Sequence, residues 1–357
     1  MTAPRIRVGL LFGGRSGEHE ISCVSARHVA AAFDPVRYQV VPIAITREGR
    51  WLLPDVSRRV LEGGPLALPE TALEVGGIPV TVDAVGLDVV FPVLHGPFGE
   101  DGTVQGLLEM AGIPYVGSGV LGSAVGMDKD VMKRLFRDAG LPIADFEVVR
   151  EAEWARSREA VVARAARLGL PCFVKPANLG SSVGVSRAVA AGDLPGAIDE
   201  ALRHDTKALV EEAVPGREIE VAVLGNEDPE AAVPGEVIAG ADFYSYEAKY
   251  VDGTARTEVP ARLPPAVAEA VQALAVRAFR AVEASGMARV DFFYVESAAR
   301  ERRLILNEIN TIPGFTVISM FPKMWEASGL RYPRLIDRLI ELAFERHAQR
   351  TRVHPGA

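Results

Sequence analysis

Short apolar runs alternate with helix-patterned segments over the first third of this 357-residue chain, and this order restricts the fold more than any other feature. The runs Ile6–Phe12, Tyr38–Ile45 and Val89–Leu94 have the length and apolar content of buried strands. Helical spacing follows the first run and also covers Val104–Met110. Strands that alternate with helices pair in parallel, because a crossover helix returns the chain to the same edge of the sheet. The pattern predicts an α/β domain over residues 1–126.

Two details of this domain are also predicted. Residues 61–80, rich in glycine and proline, are expected to form a surface excursion. In the segment after Ile6–Phe12, residues at helical spacing predict a helix. These residues are Ile21, Val24, His28, Val29 and Ala32.

The rest of the chain is predicted to form two further domains, over 127–219 and 220–357, because its length exceeds one ordinary core of about 100–150 residues. A helix over Asp128–Ala139 opens the second domain and is ended by Gly140 and Pro142. Strands at Cys172–Lys175 and Ala208–Glu211 flank a glycine loop, which is typical of a small α+β unit. The last domain is predicted to mix strands at Glu218–Leu224, Arg289–Val295 and Leu304–Asn310 with helices over 265–284 and 332–348.

Charge and cysteine content exclude several classes of protein. The net charge of −8 argues against a general nucleic-acid binder, so any anionic ligand must be held by local cations. No apolar run approaches the ~18 residues that span a membrane, and the basic and then apolar N-terminus lacks a cleavage-like site. The two cysteines, Cys23 and Cys172, are expected to be small buried hydrophobes and not a disulfide or metal pair. The sequence predicts a cytosolic protein with no membrane or nucleic-acid partner.

Acidic residues on the last two strands predict a metal site. If Arg289–Val295 and Leu304–Asn310 pair about a turn near Ala299, Asp291 lies opposite Glu308, and Arg289 lies opposite Asn310. Two carboxylates directly across a strand pair repel each other, so a positive group should lie between them. Together with the Asn310 amide they form an oxygen-only set that suits Mg²⁺. The alternative is a solvated face with ordinary charge pairs.

A lysine at a strand end precedes a flexible loop in the second domain. Lys175 is followed by a glycine- and serine-rich segment over 178–184 that includes Ser181 and Ser182. Backbone N–H groups of such a loop can bind phosphate, and the lysine adds a point charge. The alternative is a plain turn, and no Gly-Lys-Ser/Thr sequence of the Walker type follows.

Three further segments carry residues suited to a ligand site. Glu18 lies at a predicted helix start, where it either complements the helix dipole or binds a ligand ammonium. His95 lies in a loop at the carboxyl end of a strand, the edge where open α/β sheets bind ligands; a solvated loop histidine is the alternative. Lys249 and Tyr250 lie in a long aromatic loop that is either a lid or a packed surface loop.

Taken in order, these segments resemble the D-alanine–D-alanine ligase family of the ATP-grasp superfamily. The resemblance extends from Gly13 to about Ser319, nearly the whole chain. Each motif alone is weak, whereas the ordered set is specific. The motifs are GGRSGEHEIS, HGPFGEDGTVQG, MDKDVMK, VKPANLGSSVGVS, and RVDFF with NEINTIPGFT. The resemblance implies a three-domain ATP-grasp architecture whose N-terminal parallel-sheet domain precedes the two ATP-grasp domains.

The resemblance also implies roles for particular residues. Glu18 would bind the ammonium of the first D-alanine, with His95 assisting, and Ser319 would bind the carboxylate of the second. Arg289 and the Gly314 N–H would stabilise the reacting carboxyl group, and Ser181 and Tyr250 would link to Glu18 and close the lid. The nucleotide would be bound by Lys129, Lys175, Ser182, Glu211, Glu218 and Lys249. Two magnesium ions, with Mn²⁺ as a substitute, would be held by Asp291, Glu308 and Asn310.

The implied activity is the ATP-dependent joining of two D-alanines through an acylphosphate, for cytoplasmic synthesis of peptidoglycan precursors and hence for the cell wall and cell shape. A homodimer through the N-terminal domain is also implied. One departure from the family pattern is Ala213, which stands where a tryptophan or another bulky residue often follows the adenine-contacting acid. The alternatives are another carboxylate–amine ligase, such as a D-alanine–D-lactate ligase, and a nucleotide-binding protein that has lost catalysis.

Overall fold

The structure is a computed structural model that describes residues 4–63, 86–181, 183–238, 256–299, 302–316 and 318–353. Most of the predicted excursion over 61–80 lies outside these residues, as do Ser182, Lys249 and Tyr250. The described chain contains three sheets. In this part of the chain, no helix has the length and apolar content needed to cross a membrane.

The first sheet is parallel, as predicted, with strand order β2-β1-β3. Its strands are β1 (Ile6–Gly13), β2 (Tyr38–Ile45) and β3 (Val89–Pro92), the last ending two residues before the predicted boundary. The glycine at the end of β1 has a φ of +88°, a left-handed conformation that turns the chain toward the next helix. The helices of this region are α1 (His19–Ala32), α2 (Pro54–Leu61), α3 (Thr103–Met110) and α4 (Val120–Met127).

The helix predicted after β1 is confirmed as α1. Of the five residues whose spacing predicts it, Val29 is buried, and the other four are only partly buried. Its other buried residues include Ser22, Cys23 and Ala26. The reason is the close approach of α1 to the sheet. The Ser22 hydroxyl accepts a hydrogen bond from the Gly13 N–H and donates to the Val93 carbonyl. Small residues permit this contact, and apolar spacing does not detect it.

The second sheet is antiparallel, with order β4-β7-β5-β6, and helices cover it to form an α+β unit as predicted. Its core includes Trp154, Val174 and Ile198, and Cys172 lies within it. Both Cys172 and Cys23 are buried free thiols, as expected. The elements are α5 (Lys129–Asp138), β4 (Phe146–Arg150), α6 (Glu151–Arg156), α7 (Arg158–Ala165), β5 (Cys172–Pro176), β6 (Ser186–Ala188), α8 (Leu194–Leu202) and β7 (Lys207–Glu212).

The third sheet is antiparallel, with order β11-β10-β8-β12-β13, and β9 pairs with β8. The predicted hairpin register is confirmed: Asp291 lies opposite Glu308, and Arg289 lies opposite Asn310. A register shift follows between Asp291 and Phe292. The elements are β8 (Arg217–Gly225), β9 (Glu230–Ala231), β10 (Gly235–Ile238), β11 (Arg256–Glu258), α9 (Pro265–Ala281), β12 (Gly286–Tyr294), β13 (Leu304–Asn310), α10 (Met320–Ala327) and α11 (Tyr332–Val353).

The end of the chain returns to the first sheet. Leu335 and Leu339 of α11 share a core with Leu10 and Phe91 of the first sheet. The Phe315 ring, in the segment before α10, packs edge-on against Phe91 with centroids 5.7 Å apart. These contacts hold the loops of the first sheet next to the end of β13.

We predict that Phe315→Ala lowers the free energy of unfolding by about 3–5 kcal/mol. The ring is fully buried, and its loss leaves a cavity in the core that the end of the chain shares with the first sheet. Urea denaturation would measure the change. Val36→Ala is the control: Val36 is 77% exposed, so its loss should change stability by no more than about 0.5 kcal/mol. A loss for Phe315→Ala as small as that of the control would contradict the conclusion that packing of this ring against the first sheet stabilises the fold.

Candidate active site

Two adjoining cavities lie against the polar face of the third sheet. The larger, of about 1170 Å³, is lined by residues of the second and third sheets. The smaller, of about 400 Å³, is lined by loops of the first sheet and by the third sheet. Lys129, Ser181, Glu220 and Glu308 line both cavities and therefore mark their junction.

A buried cluster of two lysines and one carboxylate lies where α5 meets the second sheet. Glu211 on β7 forms ion pairs with Lys133 of α5 and with Lys175 of β5, the latter at 2.5 Å. Lys133 is 0% exposed, and its helix places it four residues after Lys129. Burial without a partner would be costly for each charge. The cluster therefore cross-links the helix to the strand pair at one end of the larger cavity.

The pKa values in this cluster follow from burial and pairing. Burial alone would raise the pKa of Glu211, but Lys133 and Lys175 hold it below its usual value. Burial lowers the pKa of Lys133 despite the attraction of Glu211. For Lys175, burial acts in the same direction, but Glu211 and Glu308 outweigh it and raise the pKa. Lys175 is thus a cation directed at the larger cavity.

The start of α5 is tied to the glycine loop. The Lys129 ammonium donates to the Leu179 carbonyl at 2.7 Å and lies 3.5 Å from Glu308. In the same loop Ser181 has a φ of +50°, a left-handed conformation that is uncommon for a residue with a side chain. Such strained positions occur in loops that bind ligands. The loop and Lys129 therefore lie together over the junction of the two cavities.

Three carboxylates form a row across three strands of the third sheet. Asp291 on β12 lies opposite Glu308 on β13 and opposite Glu220 on β8. Arg289 compensates part of this charge, since its Nε and Nη2 donate to the two Asp291 oxygens at 2.8 and 2.7 Å. Asp291, Glu220 and Glu308 together raise the pKa of Arg289 against the effect of burial. Arg289 thus lies beside Asp291 and Glu220, whereas the cation beside Glu308 is Lys129.

The residues predicted to hold metal lie side by side on the polar face of this hairpin. Asp291, Glu308 and Asn310 offer two carboxylates and one amide oxygen, a hard donor set that fits Mg²⁺. In the described residues, no three His, Cys, Asp or Glu side chains converge as a ready-made metal cage.

In the smaller cavity, Glu18 meets the glycine loop. The Ser181 hydroxyl donates to the Glu18 carboxylate, which joins the glycine loop to the segment between β1 and α1. A side chain at Gly96 would place its Cβ 2.9 Å from the same carboxylate, so the HGPFG loop approaches Glu18 by its backbone. Two members of the implied Glu18–Ser181–Tyr250 network are therefore in contact, and the third lies outside the described residues.

His95 is buried and neutral. Its Nδ1 lies 3.1 Å from the Ile312 carbonyl, which can only accept, so this nitrogen carries the proton. The Nε2 nitrogen then accepts from the Ser25 hydroxyl, 3.4 Å away. Burial lowers the pKa of His95 even though Glu18 acts in the opposite direction. His95 is therefore not the solvated loop histidine of the alternative, and it lines the smaller cavity.

Gly314 and Ser319 form the far wall of the smaller cavity. A Cβ at Gly314 would lie 2.7 Å from the Ser319 hydroxyl, so a larger residue would displace it. The same hydroxyl accepts from the Thr316 N–H at 3.0 Å, and Ser319 is the N-cap residue of α10. Gly314, predicted to contact the reacting carboxyl group, therefore lies next to Ser319, predicted to bind the second D-alanine.

Glu100 is a buried residue of the smaller cavity to which sequence reasoning gave no role. Its carboxylate accepts from the Gly96 N–H at 2.6 Å and from the Ile312 N–H at 3.3 Å. Burial, with the nearby charge of Glu18, raises the pKa of Glu100 to about 8. Glu100 thus holds the His95 loop against the segment that follows β13.

Lys133 and Glu220 were missed in the same way. Lys133 and Glu100 lie within the quoted motifs, so their place in MDKDVMK and HGPFGEDGTVQG was an available signal. Glu220 lies outside the motifs, and only its alternation with Glu218 along β8 points to the polar face. The predicted residues divide between the cavities: Lys175, Glu211, Glu218 and Asp291 line the larger, and Glu18, His95, Arg289, Asn310, Gly314 and Ser319 line the smaller.

The sequence matches two family models and many curated relatives. A model described as D-ala D-ala ligase N-terminus matches residues 7–118, and one described as D-ala D-ala ligase C-terminus matches residues 135–341. A D-alanine–D-alanine ligase from Deinococcus radiodurans is 50% identical over 347 residues, covering 95% of this chain and 98% of the relative. One from Geobacillus thermodenitrificans is 48% identical over 360 residues, covering 97% of each chain.

Solved structures agree. The D-alanine–D-alanine ligase from Coxiella burnetii superposes with a TM-score of 0.82 at 38% identity, covering 99% of this chain and 98% of the other. A D-Ala:D-Ser ligase from Enterococcus faecalis superposes with a TM-score of 0.80 at 33% identity, covering 95% of this chain and 100% of the other. The fold is that of an ATP-grasp ligase. Within that class, the chain belongs to the D-alanine–D-alanine ligase family.

We predict that Glu100→Gln changes how stability depends on pH. The native carboxyl, with a pKa near 8, binds a proton more tightly than the unfolded one, with an ordinary pKa of 4.5. Folding therefore takes up a proton in this window, and the stability that this group contributes falls as pH rises through it. Between about pH 5 and about pH 8, the free energy of unfolding should fall more steeply in the wild type than in the variant. Urea denaturation across this range would measure both slopes, and parallel slopes would contradict the assignment.

Proposed function

We propose that this enzyme joins two D-alanine molecules, with hydrolysis of ATP to ADP and phosphate, to supply the dipeptide for peptidoglycan precursors. The observation that carries the proposal is the junction of the two cavities. A cleft with lysines and carboxylates suited to a nucleotide opens, past Lys129 and Glu308, into a small polar pocket. That pocket presents Glu18, Arg289 and Ser319, one anion and two donors for the ammonium and carboxylate groups of amino acids.

The nucleotide would occupy the larger cavity. Lys129 and Lys175 would contact its phosphates, and the 178–184 loop with Ser182 would cover them. Glu218 would accept from the ribose hydroxyls. Glu211 would accept from the adenine amino group while both lysines still bind it, since a carboxylate offers about four acceptor positions.

Asp291, Glu308 and Asn310 would hold two Mg²⁺ ions, with Mn²⁺ as a substitute. When bound, these ions would neutralise charge on the transferring phosphoryl group. Lys249 would approach the γ-phosphate from the lid. Lys129 is already 3.5 Å from Glu308, which supports its placement beside the same phosphates.

The reaction must first overcome the low reactivity of a carboxylate. The Glu18 carboxylate would hold the ammonium of the first D-alanine, and neutral His95 would orient it. A carboxylate oxygen of this D-alanine attacks the γ-phosphorus, and ADP leaves. The product is an acylphosphate, whose carbonyl carbon is electrophilic.

In the second half of the reaction the free amine of the second D-alanine attacks that carbon and phosphate leaves. Ser319 would bind the carboxylate of this D-alanine. Arg289 and the Gly314 N–H would stabilise the oxyanion, and loss of one such donor typically costs ~10²–10³ in rate. Tyr250 and the departing phosphate are the two candidates for removing the proton of the amine. A closed lid, in which Tyr250 joins the Glu18–Ser181 contact, would keep water from the acylphosphate.

The second substrate is the point on which close relatives differ. The D-Ala:D-Ser ligase from Enterococcus faecalis has this fold at 33% identity, so the fold alone does not select the second substrate. We prefer dipeptide formation to ligation of D-lactate because the segment at Lys249 and Tyr250 resembles that of the peptide-forming enzymes.

We also propose a cytoplasmic homodimer: ATP is available in the cytoplasm, and the family resemblance implies the dimer. Light scattering would distinguish the 38.3 kDa chain from its dimer.

The proposal is tested by phosphate release from ATP and Mg²⁺ with D-alanine, L-alanine, D-serine or D-lactate, with the products identified by mass. We expect release that requires D-alanine and yields the D-alanyl-D-alanine dipeptide. If phosphate is released only when D-alanine is mixed with D-lactate or D-serine, that compound and not D-alanine is the second substrate. No release with any of these acids would overturn the proposed reaction.

We predict that Glu308→Gln lowers kcat by at least ~10²-fold, because an anionic oxygen toward the metal and Lys129 is lost. Dipeptide formation would be measured, with circular dichroism to show an intact fold. Glu345→Gln, at an exposed carboxylate of α11 paired with Arg338, is the control and should keep full activity. Full activity of Glu308→Gln would reject the metal assignment.

A further inference from the structure

Glu220 is a third carboxylate of the centre and lies outside the motifs that carry the family resemblance. It lies on β8 directly opposite Asp291, which itself lies opposite Glu308. Glu220 is only 8% exposed, yet it lines both cavities. Three carboxylates in one row repel each other, and a row of this kind lowers stability unless each carboxylate has a partner.

Arg289 is shared between two of these carboxylates. Its Nε–H and one Nη2–H are directed at Asp291, at 2.8 and 2.7 Å. Glu220 Oε2 lies 3.3 Å from the same Nε. Asp291 therefore holds the guanidinium by two aligned hydrogen bonds, and Glu220 flanks it at ion-pair distance.

This arrangement conflicts with the metal role proposed for Asp291. A carboxylate whose two oxygens both accept from one guanidinium has fewer lone pairs left for a metal ion. If Asp291 turns toward Mg²⁺, the Arg289 Nε–H loses its acceptor in a site where Arg289 is largely buried. An unpaired buried cation is costly, so a second acceptor must be close. Glu220 is 3.3 Å away.

We propose that Glu220 is a positioning residue that takes over the Arg289 Nε–H when Asp291 binds metal, and so keeps the guanidinium directed at the reacting carboxyl group. The inference rests on the proposed function, since it assigns a task to Arg289 in that reaction. Arg289 lines the smaller cavity and Asp291 the larger. The transfer therefore separates Arg289 from Asp291 and leaves the guanidinium on the side of the smaller cavity.

The position of Glu220 in the row favours this task over direct metal binding. Glu220 lies on β8, on the side of Asp291 opposite to β13, whereas the other proposed ligands, Glu308 and Asn310, are both on β13. On the other side of Asp291, Glu308 lies 3.5 Å from Lys129. The two ends of the row are thus served by different cations.

The first test observes Arg289 itself by NMR, in protein with ¹⁵N-labelled arginine side chains. The Arg289 Nε–H resonance is assigned by its loss in Arg289→Lys. With Mg²⁺ and ADP bound, the wild type should keep this proton protected from exchange with water, and Glu220→Gln should exchange it at least ~10-fold faster, because an amide is a weaker acceptor than a carboxylate. Equal protection in the two proteins would overturn the proposal.

The second test separates positioning from metal binding. Glu220→Gln should bind Mg²⁺ with ADP within ~3-fold of the wild type, measured by calorimetry, while kcat/KM for D-alanine falls ~10²-fold. A loss of ~10-fold or more in Mg²⁺ affinity would make Glu220 a metal ligand and overturn the proposal. Glu220→Asp keeps the charge but shortens the side chain, so we expect it to restore part of the activity.

Glu236→Gln is the matched control. Glu236 lies on the neighbouring strand β10, is 7% exposed and is paired with Arg217 at 2.6 Å. Its substitution also removes a buried carboxylate from an arginine, but not from Arg289, so the Arg289 proton should stay protected. If Glu220→Gln does not fold, Glu220→Asp carries the exchange test, with intermediate protection expected and wild-type protection contradicting the proposal. The NMR result decides the role of Glu220 even if the wild type forms no dipeptide, an outcome that would reject the proposed function alone.

Discussion

The pairing of β12 with β13 is the constraint on which the site depends. Its register places Asp291 opposite Glu308, and the pairing of β12 with β8 adds Glu220 to the same row. Strand pairing fixes these charges a few ångströms apart, because directly opposed Cβ atoms lie about 5 Å from each other. Like charges at this separation destabilise the sheet unless cations join them. The strand pairing therefore concentrates negative charge. Arg289 compensates part of this charge, and divalent ions would compensate the rest.

Charges of one sign also converge at the other wall of the larger cavity, where the converging charges are positive and a carboxylate compensates them. Lys133 and Lys175 converge on Glu211, and all three are largely or wholly buried. Removal of one member of such a cluster leaves an uncompensated charge, which is more costly than the pair is stabilising. The cluster also spans two elements, since Lys133 comes from α5 and the other two from the second sheet. The groups proposed to bind the nucleotide are thus held in place by the interactions that fix α5 to the sheet.

The sequence predicts those parts of the fold that depend on local pattern. The strands of the first sheet and the register of Asp291 with Glu308 follow from a period of two and a central turn. The spacing predicts helix α1 but not all of its buried residues, because Ser22 and Ala26 are buried by close approach to the sheet and not by apolarity. Glu100, Lys133 and Glu220 were missed for a related reason. A charged residue is normally exposed, and only tertiary packing shows that these three are buried with partners.

Charge balance explains how an acidic protein can bind a nucleotide. Around the larger cavity and its junction, the cations Lys129, Lys133, Lys175 and Arg289 pair with the carboxylates Glu211, Glu220, Asp291 and Glu308. The remaining charged residues that line the larger cavity are more often acidic than basic, so its described lining offers no excess of positive charge. A nucleotide with a charge of about −4 would then be unfavourable unless it brought cations with it, as nucleotides bound with metal ions do. Two divalent ions would offset this charge, and Asp291 and Glu308 are the carboxylates proposed to receive them. A requirement for divalent ions would then follow from the protein's own ion pairs as well as from the chemistry of phosphoryl transfer.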